Sequence, residues 1–291
     1  MVHTLERSET QEAPAGADNV VRGKLSLVLP AHNEEANIRA VVEEAAEVLP
    51  TAFSDYEIIV VNDGSKDRTL EIAQELAAEN PHVRVVNHPV NRGYGAALTS
   101  GFNAATGDFI MFMDSDRQFD INDVHLLTPY VDDYDIVAGY RLKRSDPAHR
   151  IINAWIFGLA VRLLFDINVK DIDCAFKIMR AEVLKGINLE SPGALINTEI
   201  LAKAMVQGRT ITQVGVHHYP RLEGEQSGAS LKVVMRAFWE IVRLWWRMRT
   251  YVPPDGVVAQ PPPTWRGYLL FGGAPLVGLL ALWGLIRLVR K

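Results

Sequence analysis

Three short acidic stretches, each directly after an apolar run, are the residues of this chain best suited to chemistry. Pro30-Ala31-His32-Asn33-Glu34-Glu35 follows Leu25–Leu29, and Asn62-Asp63-Gly64-Ser65-Lys66-Asp67 follows Glu57–Val61. Asp114-Ser115-Asp116-Arg117-Gln118 follows Phe109–Met113. Two aspartates flanking one residue, with an amide at Gln118, offer hard oxygen ligands suited to Mg²⁺ or Mn²⁺. Such an ion keeps waters and completes its shell with substrate phosphates. Glu34 and Asp63 can accept hydrogen bonds from a base or a ribose. Like charges gathered at one edge are costly unless a cation or donors compensate. A lone Asp-x-Asp occurs freely by chance; one placed after an apolar strand, with acids after two earlier strands, is specific.

These clusters need a scaffold that brings strand ends together. Leu25–Leu29, Glu57–Val61, Val83–Val86 and Phe109–Met113 read as buried strands, since continuous apolar runs suit a sheet covered on both faces. Helical periodicity fills the intervals at Glu34–Leu49, Asp67–Asn80 and Tyr94–Ala105. Alternation of this kind predicts an α/β fold, a Rossmann-like, mostly parallel sheet flanked by helices, with ligands at the carboxyl ends of the strands. Further strands are expected at Asp135–Ala138, Phe176–Met179 and Thr210–Val216, and helices at Arg150–Phe165 and Ala194–Gln207.

The ends of the chain differ in character. Residues 1–23 are polar, without an apolar signal core, and read as a disordered tail. Leu231–Thr250 carries five basic residues and one acid among bulky apolar ones. It reads as an amphipathic helix (229–251) in a membrane interface, or as a helix packed on its own domain. A Pro-rich linker (252–265) precedes 20 uncharged residues, Gly267–Ile286. These are expected to form one transmembrane helix within 266–290, flanked by Trp265, Tyr268, Arg287, Arg290 and Lys291. The basic stretch before it favours a cytoplasmic catalytic domain of residues 24–228 at the cell membrane. The net charge of −5 gives no reason to expect nucleic acid as a partner. The single cysteine, Cys174, excludes an internal disulfide.

PAHNEE, VNDGSKDRT, NRGYGAAL and MDSDRQFD, in that order, resemble glycosyltransferase family 2 with its GT-A fold, over roughly residues 24–225. The resemblance implies that Pro30, Ala31, Glu34 and Asp63 hold the nucleoside and that Asn91, Arg92, Gly93 and Ala96 line the same pocket. Asp114, Ser115, Asp116 and Gln118 would face the diphosphate, with Asp114, Asp116 and Gln118 binding the divalent metal. The basic run around Arg141 and Arg150 before an apolar helix, and Arg221 in a Gly-rich loop, resemble the polyprenyl-phosphate (dolichyl-phosphate sugar synthase) branch. Arg141, Arg150, Arg221 and Ser227 would then meet the acceptor phosphate. Asn153 stands where that branch implies a serine. Asp173 and Glu199 are assigned to positioning the acceptor or sugar, and His217 and His218 could reach the metal or act as strand-end hydrogen bonders.

The chemistry so implied is inverting transfer of a hexose from a nucleotide-diphosphate sugar, such as GDP-mannose or UDP-glucose, to a polyprenyl phosphate. That acceptor is already an anion and needs little help from a general base. A hydroxyl acceptor on a glycan or protein, and a non-catalytic nucleotide-binding membrane scaffold, remain as alternatives. A processive synthase is disfavoured by the lack of a QxxRW motif. Arg92-Gly93-Tyr94-Gly95-Ala96-Ala97 lacks the third glycine of a dinucleotide fingerprint and follows the third apolar run instead of the first. Amphipathic helices of this kind often pair, so a homo-oligomer is possible.

Overall fold

The computed structural model describes residues 2–4, 20–142, 148–185, 187–221 and 231–253, without the side chains of 2–4, 148–155 and 231–238. The spanning segment, Ser227 and nearly all of the Pro-rich linker therefore lie outside the described residues. Among those described, no helix is long and apolar enough to cross a membrane.

Eight strands form one sheet: β1 (Val2–Thr4), β2 (Val21–Ala31), β3 (Phe53–Asp63), β4 (Val83–His88), β5 (Phe109–Met113), β6 (Ile136–Arg141), β7 (Phe176–Arg180) and β8 (Ile211–Val216). The helices are α1 (Ile38–Ala52), α2 (Thr69–Glu79), α3 (Tyr94–Ala104), α4 (Val124–Leu127), α5 (Ala148–Phe165), α6 (Ala181–Leu184), α7 (Ile196–Val206) and α8 (Leu231–Met248). The strand order is β1-β8-β6-β7-β5-β2-β3-β4, parallel throughout except for β7, which runs antiparallel to both β5 and β6. Every residue of β5 is buried, as its unbroken apolar run requires. The chain leaves β2 in one direction for β3 and β4, then returns across it to β5. The sheet's topological switch therefore lies between β2 and β5, where α/β sheets open a crevice at the carboxyl ends.

Two expectations change here. Residues 1–23 are not all tail: Val2–Thr4 pairs in parallel with β8, Val2 opposite Ile211, and β2 begins at Val21. Backbone pairing at a free sheet edge gives a short polar stretch a place that its composition does not announce. Helix α1 also runs past Pro50 to Ala52, and it starts at Ile38 instead of Glu34, because the preceding turn has other partners.

At the amino ends of the strands Glu57 is 3% exposed and fastens three elements. It accepts hydrogen bonds from Ser26 Oγ (2.7 Å), Thr106 N (2.7 Å), Thr106 Oγ1 (2.7 Å) and Arg84 Nη1 (2.8 Å). Burial alone would raise its pKa, but these bonds outweigh it and hold the carboxyl at about 2. A depressed folded-state pKa contributes stability above the unfolded value of 4.5, lost as pH falls from there toward 2. Glu57→Gln should therefore cost roughly 3 kcal/mol at neutral pH and flatten the acid limb of the stability curve. Urea unfolding between pH 2.5 and 7 measures both.

Candidate active site

The turns after β2 and β3 bind each other before they can bind anything else. Asn33, in the left-handed region at φ 57°, donates its N–H to Ser65 Oγ (3.0 Å) and accepts Lys66 N–H on Oδ1 (2.8 Å). Glu34 N–H goes to Thr69 Oγ1 (2.8 Å), and Glu35 accepts Arg68 N–H (2.9 Å). Much of the polarity of the PAHNEE and NDGSKDRT motifs is thus spent on shaping the edge. Gly64, at φ 66°, passes so close to Asn91 N that any Cβ would overlap that amide.

Asp63 is the centre of this side of the site. It is 3% exposed, and its Oδ1 accepts from Arg92 N (2.9 Å) and His88 Nδ1 (2.7 Å), its Oδ2 from Gly93 N (2.8 Å). The carboxylate thereby fixes the Asn91–Gly93 loop that leads into α3. Three of the carboxylate's acceptor sites therefore serve the chain, and Oδ2, with one donor, keeps capacity for a further hydrogen bond. His88 had no place in the sequence reading. Its Nε2 meets Ser100 Oγ (2.9 Å), so it joins Asp63 to the body of α3. His88→Ala strands these buried partners and should cost about 1–3 kcal/mol of stability, measurable by denaturant unfolding, with weaker nucleotide binding following from a loosened loop.

After β5, Ser115 Oγ donates to Pro30 O (2.9 Å), tying the two strand ends at the switch point. Beside it, Asp114 has its pKa pushed up to about 7 by burial and then by neighbouring Asp116. The Tyr94 hydroxyl, Arg141 and Lys177 act in the opposite direction. Burial also raises Asp116, offset by Gln118 N–H (3.1 Å) and Arg221. Arg117, at φ 60°, makes the turn that returns Gln118 to Asp116. Gln118 Nε2 donates to Tyr219 O (3.1 Å), and Gln118 O accepts Tyr219 N–H (2.8 Å). That clasp carries Arg221 across the site, where its guanidinium pairs with Glu34 and lies 3.8 Å from Asp116. Glu34 is raised by burial and by Asp116, and lowered by Asn37 and Arg221.

The remaining expected residues are distributed unevenly. Arg141 makes a two-point ion pair with Asp171 (2.6 and 2.8 Å), while its charge reaches Asp114. Arg150 and Asn153 sit on the first turns of α5, their side chains outside the described residues. Asp173 lies half-buried beside Lys177 and Tyr94, both of which feel its charge. Lys177, 1% exposed, donates to the carbonyls of Ile172 (3.0 Å) and Cys174 and so holds the turn carrying Asp173. Burial pushes the Cys174 thiol up to about 12, in keeping with a packed and unreactive residue. His217 Nδ1 is tied to Asp123 (2.9 Å), the hydrogen-bonding alternative for that histidine, and His218 packs edge-on against Phe119. Glu199 is corrected. It is fully buried, paired with Lys203 (2.6 Å), and accepts Ser191 N–H (2.8 Å), leaving no open face for an acceptor or sugar.

The donor set fits a hard divalent cation in part. Asp114 and Asp116 are coupled like charges that a cation would relieve, and Gln118 adds an amide oxygen. Among the described residues no group of three or more His, Cys, Asp or Glu side chains converges, so further ligands would have to be water or phosphate oxygens.

The glycosyl transferase family 2 model matches residues 26–187, more than half of the chain. This chain belongs to that family. It is a glycosyltransferase of α/β, GT-A-like architecture. Among curated relatives, it is 28% identical over 250 residues to dolichyl-phosphate beta-glucosyltransferase ALG5D of Trichomonas vaginalis, covering 79% of this chain and 76% of that protein. It is 29% identical to dodecaprenyl-phosphate galacturonate synthase of Rhizobium johnstonii, covering 81% and 70%. Glycosyltransferase AglD of Haloferax volcanii is 29% identical over 82% of this chain, which spans only 39% of that longer protein. Glucosyl-3-phosphoglycerate synthase of Mycobacterium tuberculosis, solved with Mg²⁺ and UDP, shares the fold with a TM-score of 0.60 at 22% identity. That superposition covers 82% of this chain and 85% of the synthase.

Proposed function

We propose that this glycosyltransferase moves a hexose, with inversion, from a nucleotide-diphosphate sugar to a polyprenyl phosphate at the cytoplasmic face of a membrane. One observation carries the reading: at the β2–β5 crevice Arg221 bridges Glu34 and Asp116, and Asp116 in turn acts on neighbouring Asp114. Arginine there can exchange its carboxylate partners for phosphate oxygens, which its planar fork fits equally well. The curated relatives support a polyprenyl-phosphate acceptor by their own activities.

Asp114, Asp116 and Gln118 would hold Mg²⁺ or Mn²⁺, which when bound offsets charge on the leaving diphosphate. The chain's own residues do the rest. Asp63 and the Asn91–Ala96 segment form the nucleoside wall, together with Pro30 and Ala31. Tyr94 donates to Asp114 and fixes the orientation of that carboxylate. Arg221, with Arg141, Arg150, Asn153 and Ser227 on the acceptor side, steers a phosphate already ionised at neutral pH toward the anomeric carbon.

Helix α8 qualifies the membrane expectation. Among its described side chains, a stripe of Ile241, Leu244, Trp245 and Met248 is buried against its own domain, so that part of its apolar face is used internally. Of the described apolar side chains of this helix, Trp239 (66% exposed) and, two turns on, Trp246 (55%) face outward, with Arg249 stacked 4.6 Å over the Trp246 ring. Ile156 and Leu159 are exposed on neighbouring α5. Indole rings beside arginines suit the headgroup layer, and this pair of helices is where the lipid acceptor would be met.

Purified protein incubated with radiolabelled nucleotide sugars and polyprenyl phosphate should yield labelled lipid for one donor. Label appearing only on added glycan or peptide would replace the lipid acceptor by a hydroxyl, and no transfer at all would favour the scaffold reading. Trp239→Glu with Trp246→Glu should cut binding to anionic vesicles severalfold in a flotation assay, leaving turnover of a short-chain soluble acceptor intact.

A further inference from the structure

The donor loop rests on a turn that none of the motif residues forms. Gly95 N–H donates to Pro192 O (2.8 Å), and a Cβ on Gly95 would overlap Ser191 O. The absence of that methyl lets two backbones touch. The turn of residues 190–193 is in turn held from two sides. From beneath, Glu199 accepts the N–H groups of Glu190 (3.2 Å) and Ser191 (2.8 Å), while Lys203 pairs with Glu199 (2.6 Å) and donates to Asn188 O. From α8, Arg247 pairs with Glu190 (2.5 Å). Glu199 has no solvent exposure and Lys203 is 4% exposed. A buried ion pair contributes little net stability against an apolar substitute, so its use lies in fixing geometry.

We infer that the 188–193 turn is a backing wall of the donor-nucleotide pocket, and that Glu199 with Lys203 are positioning residues for the donor loop. This rests on the donor reading above and moves Glu199 from the acceptor side to the nucleotide side. The pair acts through Ser191 and Pro192 on Gly95, and from there on the loop that Asp63 holds.

The test measures binding of UDP and GDP, each with MnCl₂, by calorimetry, and donor and acceptor KM by initial rates. Glu199→Gln should weaken nucleotide binding and raise donor KM about tenfold, with acceptor KM within about twofold of the parent. Deuterium exchange at residues 93–98 should quicken in the same variant, because the Gly95–Pro192 hydrogen bond loses its support. Gly95→Ala strains the same contact from the other side and should reproduce the donor-specific defect, so it decides the matter if Glu199→Gln does not fold. Unchanged nucleotide affinity with a raised acceptor KM, or loss of a basic limb in the pH–rate profile alone, would overturn the inference in favour of an acceptor or general-base role. A parent protein that binds neither nucleotide would remove the donor reading itself, and the inference with it; exchange at residues 93–98 that stays unchanged removes the inference alone.

Discussion

Asp116→Ala should abolish sugar transfer, a loss of at least about 10³-fold, while leaving a folded protein with a nearly unchanged melting temperature. The two halves of this expectation have one origin. Asp116 is a half-buried carboxylate facing another, Asp114, and both are pushed up by burial. A charge held under those conditions costs the fold energy, and removing it relieves repulsion. The same charge is what a cation and a diphosphate would require. Asp116→Asn keeps the shape and the Gln118 N–H contact but loses the charge, so it should be nearly as inactive. Labelled-lipid formation and thermal melting measured on the same samples give both quantities. Substantial activity in either variant would remove the metal-assisted mechanism.

Arg221→Ala should have the opposite signature, losing both activity and stability. Arg221 pairs with Glu34 and approaches Asp116, each side chain less than 20% exposed. Its removal leaves both acids without that cation, at a cost of about 2 kcal/mol. Transfer should fall about 10²–10³-fold, since no fork remains to hold a phosphate. Mn²⁺ should then raise the melting temperature of the variant more than that of the parent, because the ion takes over charge that arginine had balanced. Arg221→Lys should recover stability but only part of the activity, as a point charge cannot make the two-pronged contact. An Arg221→Ala protein as active as its parent would place the acceptor phosphate elsewhere.

Local pattern was enough for much of the architecture. Leu25–Leu29, Glu57–Val61, Val83–Val86 and Phe109–Met113 lie inside β2 to β5, because uninterrupted apolar runs between helical stretches have few alternatives to a doubly covered sheet. The acids at the ends of those runs share one edge, since parallel strands put their carboxyl ends together. Arg221 links Glu34 to Asp116 there, while Asp63 turns to His88 and the Arg92–Gly93 backbone. Direction was not legible for β7: Phe176–Arg180 reads as a strand of either sense, and only the folded sheet shows that it runs antiparallel to β5 and β6. Pairing of Val2–Thr4 with β8 was equally hidden, because edge pairing uses backbone groups that every sequence possesses.

The site residues divide along the same line. Chemical type and position after a strand single out Asp114, Asp116, Glu34 and Asp63 from the sequence alone, because those properties are local. Which of them stays open to a ligand is settled by partners distant in the chain. Asp63 meets His88 and Arg92, Glu34 meets Arg221 from 187 positions away, and Glu199 disappears under Ser191 and Lys203. A carboxylate's task depends on how many of its lone pairs the protein has already filled, and that count exists only once the chain is folded.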